Sequence, residues 1–75
     1  MENILTEFMV AFGRAIKVER ARRDLSQEEL AYMAGLSPQF LCRLENARKT
    51  AHIETYLRIA AVLHLQWTDL FGDDK

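Results

Sequence analysis

The sequence predicts a small all-α domain built from five helices. Apolar residues recur at intervals of three and four positions through most of the 75-residue chain, which is the spacing of one face of an α-helix. Serines and glycines stand where helices begin and end. No segment alternates apolar and polar residues for long enough to predict a strand. With one proline, no repeat and no linker, residues 1–75 are expected to form a single compact domain.

The first two helices are predicted over residues 6–23 and from residue 26 onward. The apolar residues of the first share one helical face: Leu5, Phe8, Met9, Phe12 and Ile16. Ser26 and Glu29 form the pattern of a capping box, which begins the second helix. Gly35 ends it, because glycine readily adopts the left-handed conformation that closes a helix.

Three more helices are predicted after Gly35. Ser37 is the N-cap of the third, with Pro38 at its first position, where the missing N–H is not needed, and this helix covers residues 38–46. Helical spacing returns in the fourth, in Ile53, Tyr56, Leu57, Ala60, Ala61 and Leu63. The fifth covers residues 67–71 and is closed by Gly72.

Residues 25–46, LSQEELAYMAGLSPQFLCRLEN, place two short helices back to back with a three-residue turn between them. Ala31 precedes Gly35 by four residues, where crossing helices need a small side chain. Two short helices with a turn that contains glycine predict a helix-turn-helix, which presents its second helix to the major groove of DNA.

Composition and charge narrow the class of protein. Hydrophobic residues make up 49% of the chain and charged residues 28%, which is typical of a globular domain. Cys42 is the one cysteine, so an intramolecular disulfide is excluded and a cytoplasmic location is expected. The apolar N-terminal run is too short to span a bilayer and carries Glu2 and Glu7 where a signal peptide would be basic, so no membrane partner is expected.

The net charge of −1 hides an uneven distribution. Basic residues are concentrated between positions 14 and 23 and again at Arg43, Arg48 and Lys49, while the C-terminal end is acidic. The first basic run fits a solvated helix face as well as it fits a binding surface. Chain-wide charge alone therefore does not predict a nucleic-acid partner.

No enzyme, metal or other cofactor is expected. Cys42, His52 and His64 are separated by ten and twelve residues, which matches no common zinc spacing. The sequence contains no recognisable catalytic group or phosphate-binding glycine loop. For Cys42 we expect a small contact on the third helix, with oxidation control of DNA binding as the alternative.

The motifs together resemble the phage-repressor/Cro (XRE) helix-turn-helix family over residues 12–71 without a gap. The pattern S-Q-E-x-L-A, G-[LV]-S, hydrophobic-x-R-hydrophobic-E and I-E-T-hydrophobic-L-x-[IL]-A is matched at residues 26–31, 35–37, 41–45 and 53–60. The resemblance implies a lambda-repressor-like fold and a DNA-binding regulator of transcription. In organisation it extends to the controller proteins of restriction-modification systems, with phage repressors next.

The resemblance also implies a role for each matching residue. Base-reading positions are Pro38, Gln39, Cys42 and Arg43. Phosphate-binding positions are Gln27, Arg48, Lys49 and Thr50. Arg20 and Glu45 match a buried ion pair that ties the first helix to the third. Gln27 also matches a glutamine that often contacts the first residue of the recognition helix.

The chemistry of these residues agrees with those roles. The Gln39 amide suits the donor and acceptor of adenine, and the Arg43 guanidinium suits guanine O6 and N7. Arg48 and Lys49 would add affinity and salt dependence but little sequence information. The chain departs from the family at Pro38, where arginine, glutamine or threonine is frequent, and at Ala47 and residues 51–52, so the course of the loop over residues 46–52 stays open.

The resulting hypothesis is a sequence-specific regulator, located at the nucleoid, that binds an inverted repeat in double-stranded DNA as a homodimer. The apolar candidates for the two-fold contact are Trp67, Leu70 and Phe71, with Ile4, Leu5 and Phe8. RNA polymerase is a further candidate partner. The alternative is a protein-interaction module, such as an antitoxin or adaptor that uses the same fold.

Overall fold

The computed structural model describes residues 4–66 and contains four α-helices in that range. They are α1 (Ile4–Arg22), α2 (Gln27–Ala34), α3 (Pro38–Glu45) and α4 (Ile53–Leu63). All regular structure among the described residues is helical, so the all-α prediction is confirmed. Of the five predicted helices, the four that fall within this range are present. The predicted fifth helix, at residues 67–71, lies outside the described residues.

The core lies where all four helices meet. Its largest fully buried side chains come from every helix: Ile16, Leu30, Leu41, Ile59 and Leu63. At one end of the core Phe8, Phe12 and Tyr56 form an aromatic cluster, in which the Phe12 and Tyr56 ring centroids are 4.9 Å apart with a T-shaped geometry. Burial of these apolar side chains is the main source of stability.

The helix-turn-helix is formed as predicted. Ser26 Oγ accepts from the Glu29 amide at 3.0 Å and the Glu29 carboxylate accepts from the Ser26 amide at 2.8 Å, so the capping box is complete. Ser37 Oγ accepts from the Phe40 amide at 3.1 Å and caps α3. Ala31 and Ala34 are buried between α2 and its neighbours. The turn therefore holds α2 and α3 at a fixed angle.

Each of the four helices is followed by a residue with positive φ. These residues are Asp24 (58°), Gly35 (73°), Ala47 (56°) and His64 (56°). In each case the next amide donates back into the last turn, for example from Arg48 to the carbonyl of Arg43 at 2.8 Å. For these four helices the sequence predicted this termination only at Gly35, because glycine is the residue that adopts positive φ without steric cost. The positive φ of Ala47 sets the direction in which the chain enters the loop over residues 46–52.

None of the helices in the described range is long and apolar enough to cross a membrane.

Candidate nucleic-acid interface

The exposed side of α3 forms one surface with the start of α2. Pro38, Gln39, Cys42 and Arg43 line a shallow groove together with Gln27. The opposite side of α3 is anchored in the core through Leu41 and Leu44. Because α3 buries one face and exposes the other, the structure brings together all four residues predicted to read bases, in one groove open to solvent.

Glu45, the last residue of α3, joins three helices. Its carboxylate is buried and accepts from Arg20 Nε at 2.8 Å and from a second Arg20 nitrogen at 3.2 Å. Gln27 Nε2 donates to the same carboxylate at 2.8 Å. Arg20 also donates to the Leu25 carbonyl at 3.0 Å. The network links α1, the α1–α2 loop, α2 and α3, and so fixes the recognition helix against the rest of the domain.

Gln27 lines the groove beside Pro38 and is also hydrogen-bonded within the protein. The Gln27 side-chain amide donates to Glu45. Pro38, at the first position of α3, has no polar side-chain atom to which Gln27 could bond. One donor of Gln27 is therefore occupied within the protein. Its second N–H and its carbonyl oxygen remain for the groove, so a phosphate contact by Gln27 stays a prediction.

The loop that follows α3 places the remaining phosphate-binding candidates. Arg48, Lys49 and Thr50 are exposed, and Lys49 and Thr50 line a separate cleft beside Phe40 and His52. The Tyr56 hydroxyl accepts from the Ala51 amide at 3.3 Å and thereby ties the end of the loop to α4. Arg48, Lys49 and Thr50 do not line the groove of Gln39 and Arg43, because they lie beyond the C-terminal end of α3.

The exposed cations of this surface form no ion pair within the described part of the chain. Among residues 4–66, Arg43, Arg48 and Lys49 have no carboxylate within salt-bridge distance, whereas Arg20 is held by Glu45. Unpaired guanidinium and ammonium groups beside an amide-bearing groove are the groups that bind phosphates and base edges in DNA. The surface can therefore bind a polyanion and present hydrogen-bonding groups to it.

Three residues that help to form the site were not predicted from the sequence. Gly13 lies against the backbone carbonyl of Glu45, so α1 and α3 cross in direct backbone contact. Asn46 Nδ2 donates to the Cys42 carbonyl at 2.9 Å at the end of α3. The Tyr56 hydroxyl holds the loop after α3 through its hydrogen bond with the Ala51 amide. A signal for Gly13 was present, because glycine is unfavourable inside a helix and its presence there points to a packing requirement.

No group of three potential metal ligands occurs among the described residues. Cys42 is half-buried, with Asn46 Nδ2 at 3.6 Å from its sulfur. The predicted interface residues Trp67, Leu70 and Phe71 lie outside the described range.

The sequence matches the family model described as "Helix-turn-helix domain" over residues 11–70. The chain belongs to this family, and the recognition of its XRE type is confirmed. Its fold is that of helix-turn-helix regulators of transcription, a class that binds double-stranded DNA.

Three solved structures share this fold. The restriction-modification controller protein C.AhdI from Aeromonas hydrophila has a TM-score of 0.74 and 28% identity, over 84% of this chain and 96% of that one. An HTH_3 family transcriptional regulator from Vibrio cholerae has a TM-score of 0.77 and 26% identity, over 93% and 39%. The clp gene regulator ClgR from Corynebacterium glutamicum has a TM-score of 0.75 and 30% identity, over 95% and 72%.

A relative from another functional class is also similar. Antitoxin PezA from Streptococcus pneumoniae is 33% identical over 63 residues, which cover 84% of this chain. The chain spans only 40% of the length of that antitoxin.

Proposed function

We propose that the protein is a sequence-specific regulator of transcription that binds an inverted repeat in double-stranded DNA as a homodimer, with α3 in the major groove. The observation that carries this proposal is the groove of Pro38, Gln39, Cys42 and Arg43 on the exposed side of α3. An α-helix fits the major groove, and there Gln39 and Arg43 can make bidentate contacts with adenine and guanine. Arg48 and Lys49, which form no ion pair among residues 4–66, lie where they can bind the adjacent phosphates.

Apolar exposure supports the homodimer. Ile4 and Ile53 line an apolar groove between the starts of α1 and α4 and are 81% and 63% exposed. Leu57, one turn further along α4, is 51% exposed. An exposed apolar patch of this kind is typical of an interaction site. A second copy of the chain on this patch would give the two-fold symmetry that matches an inverted repeat.

The test is selection of duplexes by the purified protein from a random library of about 30 base pairs at physiological salt, long enough for two half-sites one helical turn apart. Recovery of an inverted repeat supports both DNA recognition and two-fold binding. Flat enrichment with weak, salt-sensitive binding contradicts the proposal. Placement of the recovered repeat beside restriction-modification genes would support a controller role, for which the similarity to C.AhdI over 96% of its length is the supporting observation.

The second candidate function is an antitoxin or adaptor that covers the surface of a partner protein. The similarity to antitoxin PezA favours it, although this chain spans only 40% of that protein. The two functions separate when the protein is expressed with and without its chromosomal neighbours. An antitoxin forms a stable complex with a neighbouring gene product and relieves its toxicity, whereas a regulator alters transcription from the selected repeat. Recruitment of RNA polymerase and a cytoplasmic location at the nucleoid belong to the regulator hypothesis.

A further inference from the structure

The basic residues of α1 differ in whether a carboxylate neutralises them. Arg22 donates to Glu19 at 3.0 Å, and a nitrogen of Arg23 lies 3.7 Å from the same carboxylate. Arg14 and Lys17 are exposed and have no carboxylate within salt-bridge distance among residues 4–66. Two positive charges of α1 therefore remain without a counter-charge on the described part of the protein.

These two cations lie beside the end of α3. The glycine contact described above brings α1 into backbone contact with α3 at Gly13, one residue before Arg14. Arg14 and Lys17 line a shallow cleft together with Val10, Asn46, Ala47 and Glu45. The Glu45 carboxylate in this cleft is bonded to Arg20 and Gln27, not to these two cations. Lys17 Nζ donates to Asn46 Oδ1 at 3.4 Å. The position of both cations relative to α3 is therefore set by the packing of α1.

Asn46 links this cleft to the groove on the exposed side of α3. Asn46 stands one turn after Cys42 and is hydrogen-bonded to its carbonyl, and Cys42 lines the groove with Gln39 and Arg43. The major groove is about 12 Å wide and is bordered by phosphates on both sides. When the first turns of α3 contact base edges, the last turn and the residues beside it lie near one border of the groove. Arg14 and Lys17 are on that side.

We propose that Arg14 and Lys17 bind the sugar-phosphate backbone next to the C-terminal end of α3, as a phosphate-binding surface additional to Arg48 and Lys49. The proposal rests on the proposed DNA-binding function. Cations without a protein counter-charge form charge-assisted hydrogen bonds with phosphates and release condensed counterions, which adds affinity but no sequence information. Arg22 and Arg23, which are held by Glu19, are not part of this surface.

The experiment compares two variants that remove the same charge from the same helix. Arg14→Gln/Lys17→Gln removes the proposed surface, and Arg22→Gln/Arg23→Gln is the matched control. Each is titrated with the selected duplex over a range of salt concentrations. For the first variant we expect the plot of log K against log salt to become shallower by about 0.9 per lost phosphate contact, roughly 2 per bound protomer. The control keeps the wild-type slope, and neither variant changes the ranking of base substitutions in the duplex.

Two further measurements keep the proposal open to refutation. The charge-preserving variant Arg14→Lys/Lys17→Arg is expected to retain the wild-type slope. Ethylation of individual phosphates is also tested with the wild-type protein. It is expected to interfere with binding at phosphates along one border of each half-site, in addition to the phosphates whose interference is lost in Lys49→Ala.

The outcomes separate this proposal from the one on which it rests. If the unmodified protein binds no duplex, the proposed function fails and the phosphate surface fails with it. If it binds, and the two double variants lose equal affinity and slope, the regulator proposal stands and the surface on α1 is refuted. Unchanged DNA binding by Arg14→Gln/Lys17→Gln, with loss of binding to an acidic protein partner, likewise refutes it.

Discussion

Single residues with positive φ decide how the helices of this domain end. Ala47 and Gly35 both have left-handed conformations, but only glycine adopts them without a steric cost from Cβ. At Gly35 an added Cβ would also lie 3.2 Å from the Arg58 guanidinium. A glycine is therefore expected to increase stability at position 47, and an alanine to decrease it at position 35.

We expect Ala47→Gly to raise the free energy of unfolding by about 1 kcal/mol and Gly35→Ala to lower it by a similar amount or more. Urea denaturation followed by circular dichroism measures both. The control is Ala61→Gly, at an exposed position inside α4. Its free energy of unfolding should fall by about 0.5–1 kcal/mol, because glycine in a helix interior is unfavourable. A destabilised Ala47→Gly variant would contradict the role assigned to backbone strain at this position.

At the scale of elements, the crossing of α1 and α3 depends on the absence of a side chain at Gly13. A Cβ there would collide with the Glu45 carbonyl and lie 2.9 Å from the Leu44 carbonyl, and backbone atoms cannot move aside as a flexible side chain can. We expect Gly13→Ala to cost about 1–3 kcal/mol through this overpacking. The sign is diagnostic, since the same exchange at an uncrowded helical position stabilises by about 1 kcal/mol. Thermal and urea unfolding would show which sign holds.

The recognition helix itself and the loop after it should respond differently to substitution. Arg43→Ala removes a base-reading group and is expected to relax sequence preference at one position of each half-site, at about 1–3 kcal/mol of discrimination. Lys49→Ala removes a phosphate contact and is expected to weaken binding to all sequences and to lower the salt slope by about one unit. Titration of both variants against the selected repeat and its single-base variants measures the difference. Equal effects on every sequence by Arg43→Ala would contradict the predicted base contact.

At the scale of the whole molecule, the apolar patch of α1 and α4 is the surface on which the proposed dimer depends. Ile53→Asp places a charge in this patch and is expected to shift sedimentation equilibrium toward the monomer, because burial of an unpaired carboxylate is costly. Binding to two half-sites should fall more than binding to one. Tyr32→Asp, at an 87% exposed position of α2, is the control and should leave assembly unchanged. An Ile53→Asp protein that dimerises like the wild type would exclude this patch.

The sequence by itself determined those features that depend on short-range chemistry. The sequence defined α2, α3 and the turn between them through helical spacing, the capping box of Ser26 and Glu29, the Ser37 cap and Gly35. Each of these signals rests on contacts within a few residues. The motif spacing also indicated the family, and the resemblance implied which side of α3 is exposed.

The tertiary structure alone decided where distant residues meet. It turned Gln27 toward Glu45, brought Gly13 against the end of α3, and placed Ala47 in a left-handed conformation that no glycine signalled. It also distinguished Arg14 and Lys17 from Arg22 and Arg23, which one run of basic residues could not do. The reason is physical: pairing of charges and approach of backbones depend on distances between helices, and these are fixed only when the core packs.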